Sequence, residues 1–239
     1  MKVLILNSGM GRRMNCLIEK NPKCMTIIGN NSTILSRQLK ILEDNQIDDV
    51  VITTGYCSQV LIDYCYSLNL NLRYTFVHNP IYYKTNYIYS IYLAREHVLN
   101  DLVIMHGDLV FDRRILERIV KESQSCMAVS SKIPVNQKDF KAIIEKRRIK
   151  KIGVCFDQNA LTAQPLYKID KENWIIWLNS IISYCEKGKV NLYAEDAFND
   201  VSDVCRINMY DYKEQLCMEM DTTEDLKVII ENLKYSGEE

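Results

Sequence analysis

Short apolar runs alternate with amphipathic stretches over the first half of the chain. The apolar runs have the composition and length of buried strands and cover residues 3–6, 49–53, 72–77, 101–105 and 127–129. Between them, Ser32-Thr33 precedes apolar residues at helical spacing, and the same period returns at residues 86–98 and 113–123. This alternation predicts an α/β domain with a Rossmann-like, mostly parallel mixed sheet flanked by helices.

The pattern changes after about residue 132, where hairpin-like strands precede helices at about residues 172–186, 195–200 and 222–233. A basic run at residues 145–151 lies between two short apolar runs, which predicts a solvated hairpin tip. No long linker divides the chain. We therefore expect a single domain, with a core at residues 1–131 and a small lid with C-terminal helices at residues 132–239.

Composition narrows the class of protein. The chain has 239 residues, a formal net charge of −1 and a sequence pI near 6.3, so nucleic acid is not expected as its main partner. We expect neither a signal peptide nor membrane insertion, because the apolar runs are too short. The nine cysteines contain no Cys-x-x-Cys pair, which favours a reducing cytoplasm. His78, His97 and His106 lack the spacing of zinc ligands and are expected to be structural.

A glycine-containing loop follows the first predicted strand. It reads Asn7-Ser8-Gly9-Met10-Gly11-Arg12-Arg13, and Pro22-Lys23 comes soon after it. A P-loop would need Gly-Lys-Ser/Thr, and the dinucleotide fingerprint would need a third glycine at Met14. Glycine lets backbone N–H groups approach an anion, and Arg13 and Lys23 supply positive charge. The loop therefore predicts a triphosphate site, with a plain tight turn as the alternative.

Two aspartates follow strand-like runs far apart in sequence. Asp108 comes after residues 101–105, and Asp221 after residues 216–220. Ligands of open parallel sheets bind at the carboxyl ends of the strands, where both residues are expected. Paired carboxylates there would suit Mg²⁺ shared with substrate phosphates. The alternative is that both residues cap helices.

Taken in order, Leu6 to Arg13, Pro22-Lys23, Asp108 and Asp221 resemble the signature of the sugar-phosphate nucleotidyltransferase superfamily. That signature reads Leu-Ala-Ala-Gly-x-Gly-x-Arg, then Pro-Lys, then two separate aspartates. Asn7-Ser8 replaces the pair of alanines, so contacts to the base or ribose are expected to differ here. The resemblance implies a nucleotidyltransferase (GT-A-like) fold.

Within the superfamily, the chain is most similar to the small cytidylyltransferases that act on phosphocholine or 2-aminoethylphosphonate. This rests on Thr54-Gly55-Tyr56, residues 85–93 and Tyr193-Ala194-Glu195-Asp196. The resemblance implies that CMP passes from CTP to a small phosphate or phosphonate acceptor, with release of pyrophosphate. Residues 1–131 would then bind the nucleotide and residues 132–239 the acceptor.

Site residues carry over with the resemblance. Lys23 and Arg13 are assigned to catalysis, and Asp108 and Asp221 to Mg²⁺. The residues expected to bind the nucleotide are Leu6, Asn7, Ser8, Gly9, Met10, Gly11, Arg12, Arg13, Lys23, Gly55, Tyr56, Asn86 and Ser90. For Asn86, a helix N-cap is an additional interpretation.

A cationic acceptor head needs aromatic faces or carboxylates. We assign Tyr89, Tyr193, Glu195 and Asp196 to the acceptor. Tyr89 has helical spacing with Tyr92, so packing in the core is an alternative for it, and the two acidic residues could instead answer a helix dipole. Trp174 and Trp177 are expected in the core.

Two other functions remain open from the sequence. One is a hexose-1-phosphate nucleotidyltransferase, which would use the same loop, lysine and metal. The other is a non-catalytic nucleotide-binding regulatory domain, against which the presence of Arg13, Lys23, Asp108 and Asp221 argues together. The sequence does not fix the acceptor, the strictness for CTP or the oligomeric state, a homodimer included.

Overall fold

The computed structural model describes residues 1–9, 21–156 and 159–236. Its strands are, in chain order, β1 (Lys2–Asn7), β2 (Ile27–Gly29), β3 (Ser32–Thr33), β4 (Asp49–Thr54), β5 (Arg73–His78), β6 (Leu102–His106), β7 (Leu109–Phe111), β8 (Cys126–Ser130), β9 (Lys141–Glu145), β10 (Arg148–Gly153), β11 (Ala160–Ile169), β12 (Asn208–Asp211) and β13 (Cys217–Glu219). The helices are α1 (Ile34–Asp44), α2 (Ser58–Ser67), α3 (Tyr87–Ala94), α4 (Arg113–Ile119), α5 (Lys171–Glu186), α6 (Ala194–Asn199) and α7 (Thr223–Ser236). Short 3₁₀ helices lie at Lys23–Met25 and Arg95–His97.

One mixed sheet organises the molecule. Its order is β5-β4-β1-β6-β11-β8-β12-β10-β9, nine strands in all. The first four pair in parallel, with Leu6 opposite both Thr53 of β4 and His106 of β6. The next strand, β11, runs antiparallel to β6, and most of the remaining pairs are antiparallel. The predicted α/β class with a mixed sheet is confirmed, and β9 to β12 extend this same sheet.

The helices largely follow the sequence signals. Thr33 caps α1 by accepting from the N–H of Ser36, whose side chain accepts from the Thr33 N–H, which closes a capping box. The sequence analysis missed α2. Its N-cap, Cys57, has a left-handed φ of 51° and makes no side-chain capping bond, so the usual start signal is absent. Among the described helices, none is long and apolar enough to cross a bilayer.

Two apolar layers cover the sheet. One joins it to α3, α5 and α6, and the other joins it to α1, α2 and α4. Trp174 and Trp177 are fully buried in the first layer and pack edge to face, which confirms their predicted place in the core. A smaller cluster fixes α7 against β2 through Ile28, Ile229 and Leu233.

The predicted hairpin at residues 145–151 forms, but its tip is shorter than expected. Only Lys146 and Arg147 make the turn, both with positive φ, and β10 already begins at Arg148. Lys150 pairs with Asp203 at 2.7 Å. The prediction that the whole basic run forms the solvated tip is wrong. Ile149 is fully buried, so its neighbours belong to strand β10.

Candidate functional site

A cavity of about 270 Å³ opens at the carboxyl ends of the parallel strands. Crevices at this edge are the usual ligand sites of open α/β sheets. The predicted site residues in its walls are Leu6, Asn7, Ser8, Gly9, Lys23, Asn86, Ser90 and Asp108. Met10, Gly11, Arg12 and Arg13 lie outside the described residues, so their assignments stay predictions.

Lys23 joins the two predicted metal ligands. Its Nζ lies 2.5 Å from Asp108 Oδ2 and 2.8 Å from Asp221 Oδ1. Lys23 begins the 3₁₀ helix, Asp108 follows β6, and Asp221 lies between β13 and α7. The side chains are 13%, 22% and 10% exposed, so the ion pairs are largely shielded from solvent. Two carboxylates therefore converge on one cation beside the cavity.

The electrostatics of this cluster keep it charged. Burial alone would lower the pKa of Lys23, but the carboxylates of Asp108 and Asp221 outweigh it and raise the pKa. Burial likewise favours neutral Asp108, yet the Lys23 ammonium outweighs it and lowers the pKa of that carboxyl. Lys23 and Asp108 are therefore both ionised at neutral pH.

A second pair lies next to this cluster, and the sequence analysis did not predict it. His106 Nδ1 lies 2.7 Å from Glu219 Oε1. Burial would lower the pKa of His106, but Glu219 and Asp108 outweigh it and raise the pKa. Burial and Asp108 also raise the pKa of Glu219 against the pull of His106. The raised pKa values of His106 and Glu219 both favour a proton shared between the two side chains.

The spacing of these residues was a signal in the sequence. His106 and Asp108 are two apart, as are Glu219 and Asp221. His106 and Glu219 are the last residues of β6 and β13, and each aspartate follows two residues later. Each strand end therefore brings two ionisable side chains to the same edge.

The same edge could hold a metal ion. Ligand atoms of His106, Asp108 and Glu219 all lie within 4.8 Å of one another. Asp221 adds a further carboxylate, which Lys23 bridges to that of Asp108. Carboxylate oxygens are the donors that hard divalent cations prefer, so the residues fit such an ion.

Close backbone approaches shape the strand ends. A Cβ on Gly107 would lie 1.6 Å from Asn7 Oδ1, and one on Gly55 would lie 2.5 Å from the Ser8 carbonyl oxygen. At Gly55 the contact is with backbone and excludes a side chain, whereas a side chain at Gly107 would require the Asn7 amide to move. Gly55 and Tyr56 are not among the described residues of the cavity wall, so Gly55 shapes the floor without lining it.

On the α3 side of the cavity, polar groups already hold one another. Asn86 Oδ1 accepts from the N–H of Tyr87 at 2.7 Å, which caps α3 as the alternative interpretation expected. Asn79 Nδ2 donates to Ser90 Oγ at 3.1 Å and to Thr85 Oγ1 at 3.0 Å. Asn79 was not predicted from the sequence, and it holds Ser90, one of the residues assigned to the nucleotide.

The predicted acceptor residues occupy separate positions. Glu195, 2% exposed, accepts from the hydroxyls of Tyr87 and Tyr167, the latter at 2.7 Å. Asp196 accepts from the backbone N–H of Tyr193 at 2.8 Å and so caps α6. In the described part of the cavity wall neither carboxylate appears, but Tyr87 does. Glu195 therefore reaches the cavity through Tyr87.

The two assigned tyrosines differ in setting. Tyr193 is 37% exposed, and its ring centroid lies 5.9 Å from that of Tyr87. Tyr89 stacks on Tyr92 at 5.8 Å and packs against the first apolar layer, as its alternative interpretation expected. Roles in acceptor binding remain predictions for both residues.

Known proteins resemble this chain in sequence. The family model described as "MobA-like NTP transferase domain" matches residues 3–163. CTP:phosphoglutamine cytidylyltransferase of Campylobacter jejuni is 27% identical over 139 residues, 55% of this chain and 53% of the relative. Choline-phosphate cytidylyltransferase of Streptococcus pneumoniae is 31% identical over 111 residues, 46% of either protein. The matched part of the chain thus spans about half the length of these curated relatives.

The fold extends further than the sequence matches. The solved CTP:phosphocholine cytidylyltransferase from Streptococcus pneumoniae superposes with a TM-score of 0.79 at 20% identity, over 97% of this chain and 98% of that one. At this identity the likeness concerns the fold alone. The predicted nucleotidyltransferase fold is confirmed by it.

Proposed function

Because the chain belongs to the MobA-like NTP transferase domain family, we propose that it is a cytidylyltransferase. In this proposal it transfers CMP from CTP to a small phosphate or phosphonate acceptor and releases pyrophosphate. The observation that carries the proposal is the Lys23 ammonium, held between Asp108 and Asp221 at the edge of the cavity. A buried cation beside two carboxylates suits the transfer of a nucleotidyl group between two anions.

The reaction joins two anions and needs positioning and charge neutralisation. An oxygen of the acceptor phosphate attacks the α-phosphorus of CTP, and the bond from that phosphorus to the β-phosphate bridging oxygen breaks. Both electrons of that bond leave with pyrophosphate. Lys23 neutralises charge on the α-phosphate and on the incoming oxygen, and Arg13 with the loop amides holds the β- and γ-phosphates. No covalent enzyme intermediate is required.

Asp108 and Asp221 would hold Mg²⁺, which would neutralise charge on the triphosphate when bound. Their carboxylates already converge on one cation, which supports this assignment. His106 and Glu219 lie beside Asp108 and hold each other, so they would keep its surroundings fixed.

The two relatives compared above are named for phosphoglutamine and choline-phosphate, both phosphorylated small molecules. An acceptor of that kind suits a cavity walled by Tyr87, whose hydroxyl donates to the buried carboxylate of Glu195. We therefore favour a phosphorylated or phosphonate amine over a hexose 1-phosphate.

Pyrophosphate release tests this function directly. The four nucleoside triphosphates would each be combined with Mg²⁺ and with phosphocholine, 2-aminoethylphosphonate, phosphoglutamine or a hexose 1-phosphate. We expect release with CTP and an amine-bearing acceptor. Release with a hexose phosphate instead would show that the acceptor is a sugar phosphate and not an amine. CTP binding without pyrophosphate release for any acceptor would favour a regulatory domain.

The acceptor assignment predicts a change in KM. Glu195→Gln should raise the KM for an amine-bearing acceptor about tenfold, because Glu195 accepts from the hydroxyl of Tyr87 and so holds this residue of the cavity wall. Asp196→Asn tests the acceptor role assigned to Asp196 in the same way. The KM for CTP should stay unchanged. Steady-state kinetics with Asp200→Asn as control tests this, since Asp200 pairs with Tyr184 at the end of α6. An acceptor KM unaffected by both substitutions would exclude a role of Glu195 and Asp196 in acceptor binding.

A further inference from the structure

Two buried polar atoms in the cavity wall have no hydrogen-bond partner among the described residues. Asn7 and Ser8 line the cavity and are 8% and 6% exposed. Within the described part of the chain, neither Asn7 Nδ2 nor Ser8 Oγ has a hydrogen-bond partner. A buried donor without a partner destabilises the folded state, so such groups usually bind a ligand or water.

The backbone fixes the position of Asn7. Its N–H donates to Thr53 Oγ1 at 3.1 Å, and its side chain packs against Gly107, where a Cβ would lie 1.6 Å from Oδ1. Asn7 thus occupies space beside Gly107, one residue before Asp108. Asn7 ends β1 and shares the lining of the cavity with Lys23, Asp108 and Asn86.

The chemistry of the amide narrows its ligand group. Lys23 with Asp108 and Asp221 forms the charged end of the site, which suits the phosphates and leaves the neutral amide of Asn7 for an uncharged part of the nucleotide. Rotation about the terminal side-chain bond exchanges Nδ2 and Oδ1, so Asn7 can present a donor or an acceptor. A hydroxyl both donates and accepts, which makes it a match for either orientation.

We propose that the side-chain amide of Asn7 hydrogen-bonds a ribose hydroxyl of the nucleotide. Asn7 then discriminates ribonucleotides from deoxyribonucleotides, a role that the alanine of the superfamily signature cannot fill. The proposal rests on the proposed function, because it needs a nucleoside triphosphate in this cavity. The neighbouring Lys23 cluster takes the phosphates.

Kinetics with CTP, 2′-deoxy-CTP and 3′-deoxy-CTP test the proposal. In Asn7→Ala, kcat/KM for CTP should fall about tenfold, the effect of one lost hydrogen bond. For at least one deoxy analogue, which already lacks the contact, kcat/KM should fall much less. The preference of the protein for CTP over that analogue should therefore shrink by about the same factor. Calorimetric Kd values for the three nucleotides give the same comparison without turnover.

The controls separate this proposal from the proposed function. Asn45→Ala removes an asparagine at the end of α1, whose amide donates to the Ile41 carbonyl. This control should change neither kcat/KM for CTP nor the preference for CTP over the deoxy analogues. Equal losses for CTP and both analogues in Asn7→Ala, or no loss at all, would overturn the ribose contact alone. A wild-type protein that neither binds nor uses CTP would overturn the proposed function as well.

Discussion

Turnover should fall by about 10²–10³-fold when Lys23 is replaced by alanine, with the fold retained. The expected loss is that of one preorganised charge on the reacting phosphate. Because Lys23 Nζ contacts Asp108 and Asp221 at 2.5 and 2.8 Å, the variant leaves both carboxylates without their bridging cation. Mn²⁺ affinity should therefore be kept or increased, since the ion would meet two unpaired anions.

Three measurements check this expectation: pyrophosphate release for kcat, Mn²⁺ titration by electron paramagnetic resonance, and thermal melting for the fold. Lys23→Arg keeps the charge and should retain more activity than Lys23→Ala. Lys40→Ala, at an exposed ion pair of α1 with Glu43 and Asp44, should leave turnover unchanged. Near-normal turnover of a folded Lys23→Ala protein would exclude Lys23 from the mechanism.

Asp108→Asn and Asp221→Asn should each weaken Mn²⁺ binding and lower turnover by about a hundredfold or more. A carboxylate that holds the ion contributes charge that an amide lacks, and each 1.36 kcal/mol of lost transition-state stabilisation is about tenfold in rate. The effect on turnover should become smaller at high Mg²⁺ concentration if the loss is one of affinity.

Glu219→Gln distinguishes two metal sites at this edge. The ligand atoms of His106, Asp108 and Glu219 lie close together, and so do the carboxylates of Asp108 and Asp221. If Asp108 and Asp221 hold the ion, Glu219→Gln should bind Mn²⁺ nearly as wild type. Loss of Mn²⁺ binding in Glu219→Gln with retention in Asp221→Asn would move the ion to the His106 side. Asp63→Asn, on the exposed face of α2, is the matched control.

Local patterns predicted much of the fold. The capping box of Thr33 and Ser36 and the parallel strands around β1 follow from short-range spacing and alternation, which a sequence displays directly. The helix α2 was missed because Cys57 starts it with a left-handed backbone and no capping bond. The predicted hairpin tip was too long because the burial of Ile149 depends on tertiary packing.

For the site, the sequence predicted which residues gather at one edge. Asp108 directly follows β6, and Lys23 and Asp221 also lie at this edge. It left open whether these residues bind a metal or cap helices. No sequence pattern indicated that Lys23, 198 residues from Asp221, would bridge the two aspartates. The functional roles of the three residues stay predictions until the variants are measured.

The sequence by itself determined the α/β class, the glycine loop after β1 and the order of charged residues along the chain. Tertiary structure alone decided the partners of the buried polar groups. Glu195 bonds Tyr87, 108 residues away, and His106 bonds Glu219, 113 residues away. Each pairing arises because burial removes water and forces a polar group to find another within reach. Which group is within reach depends on how the strands and helices pack.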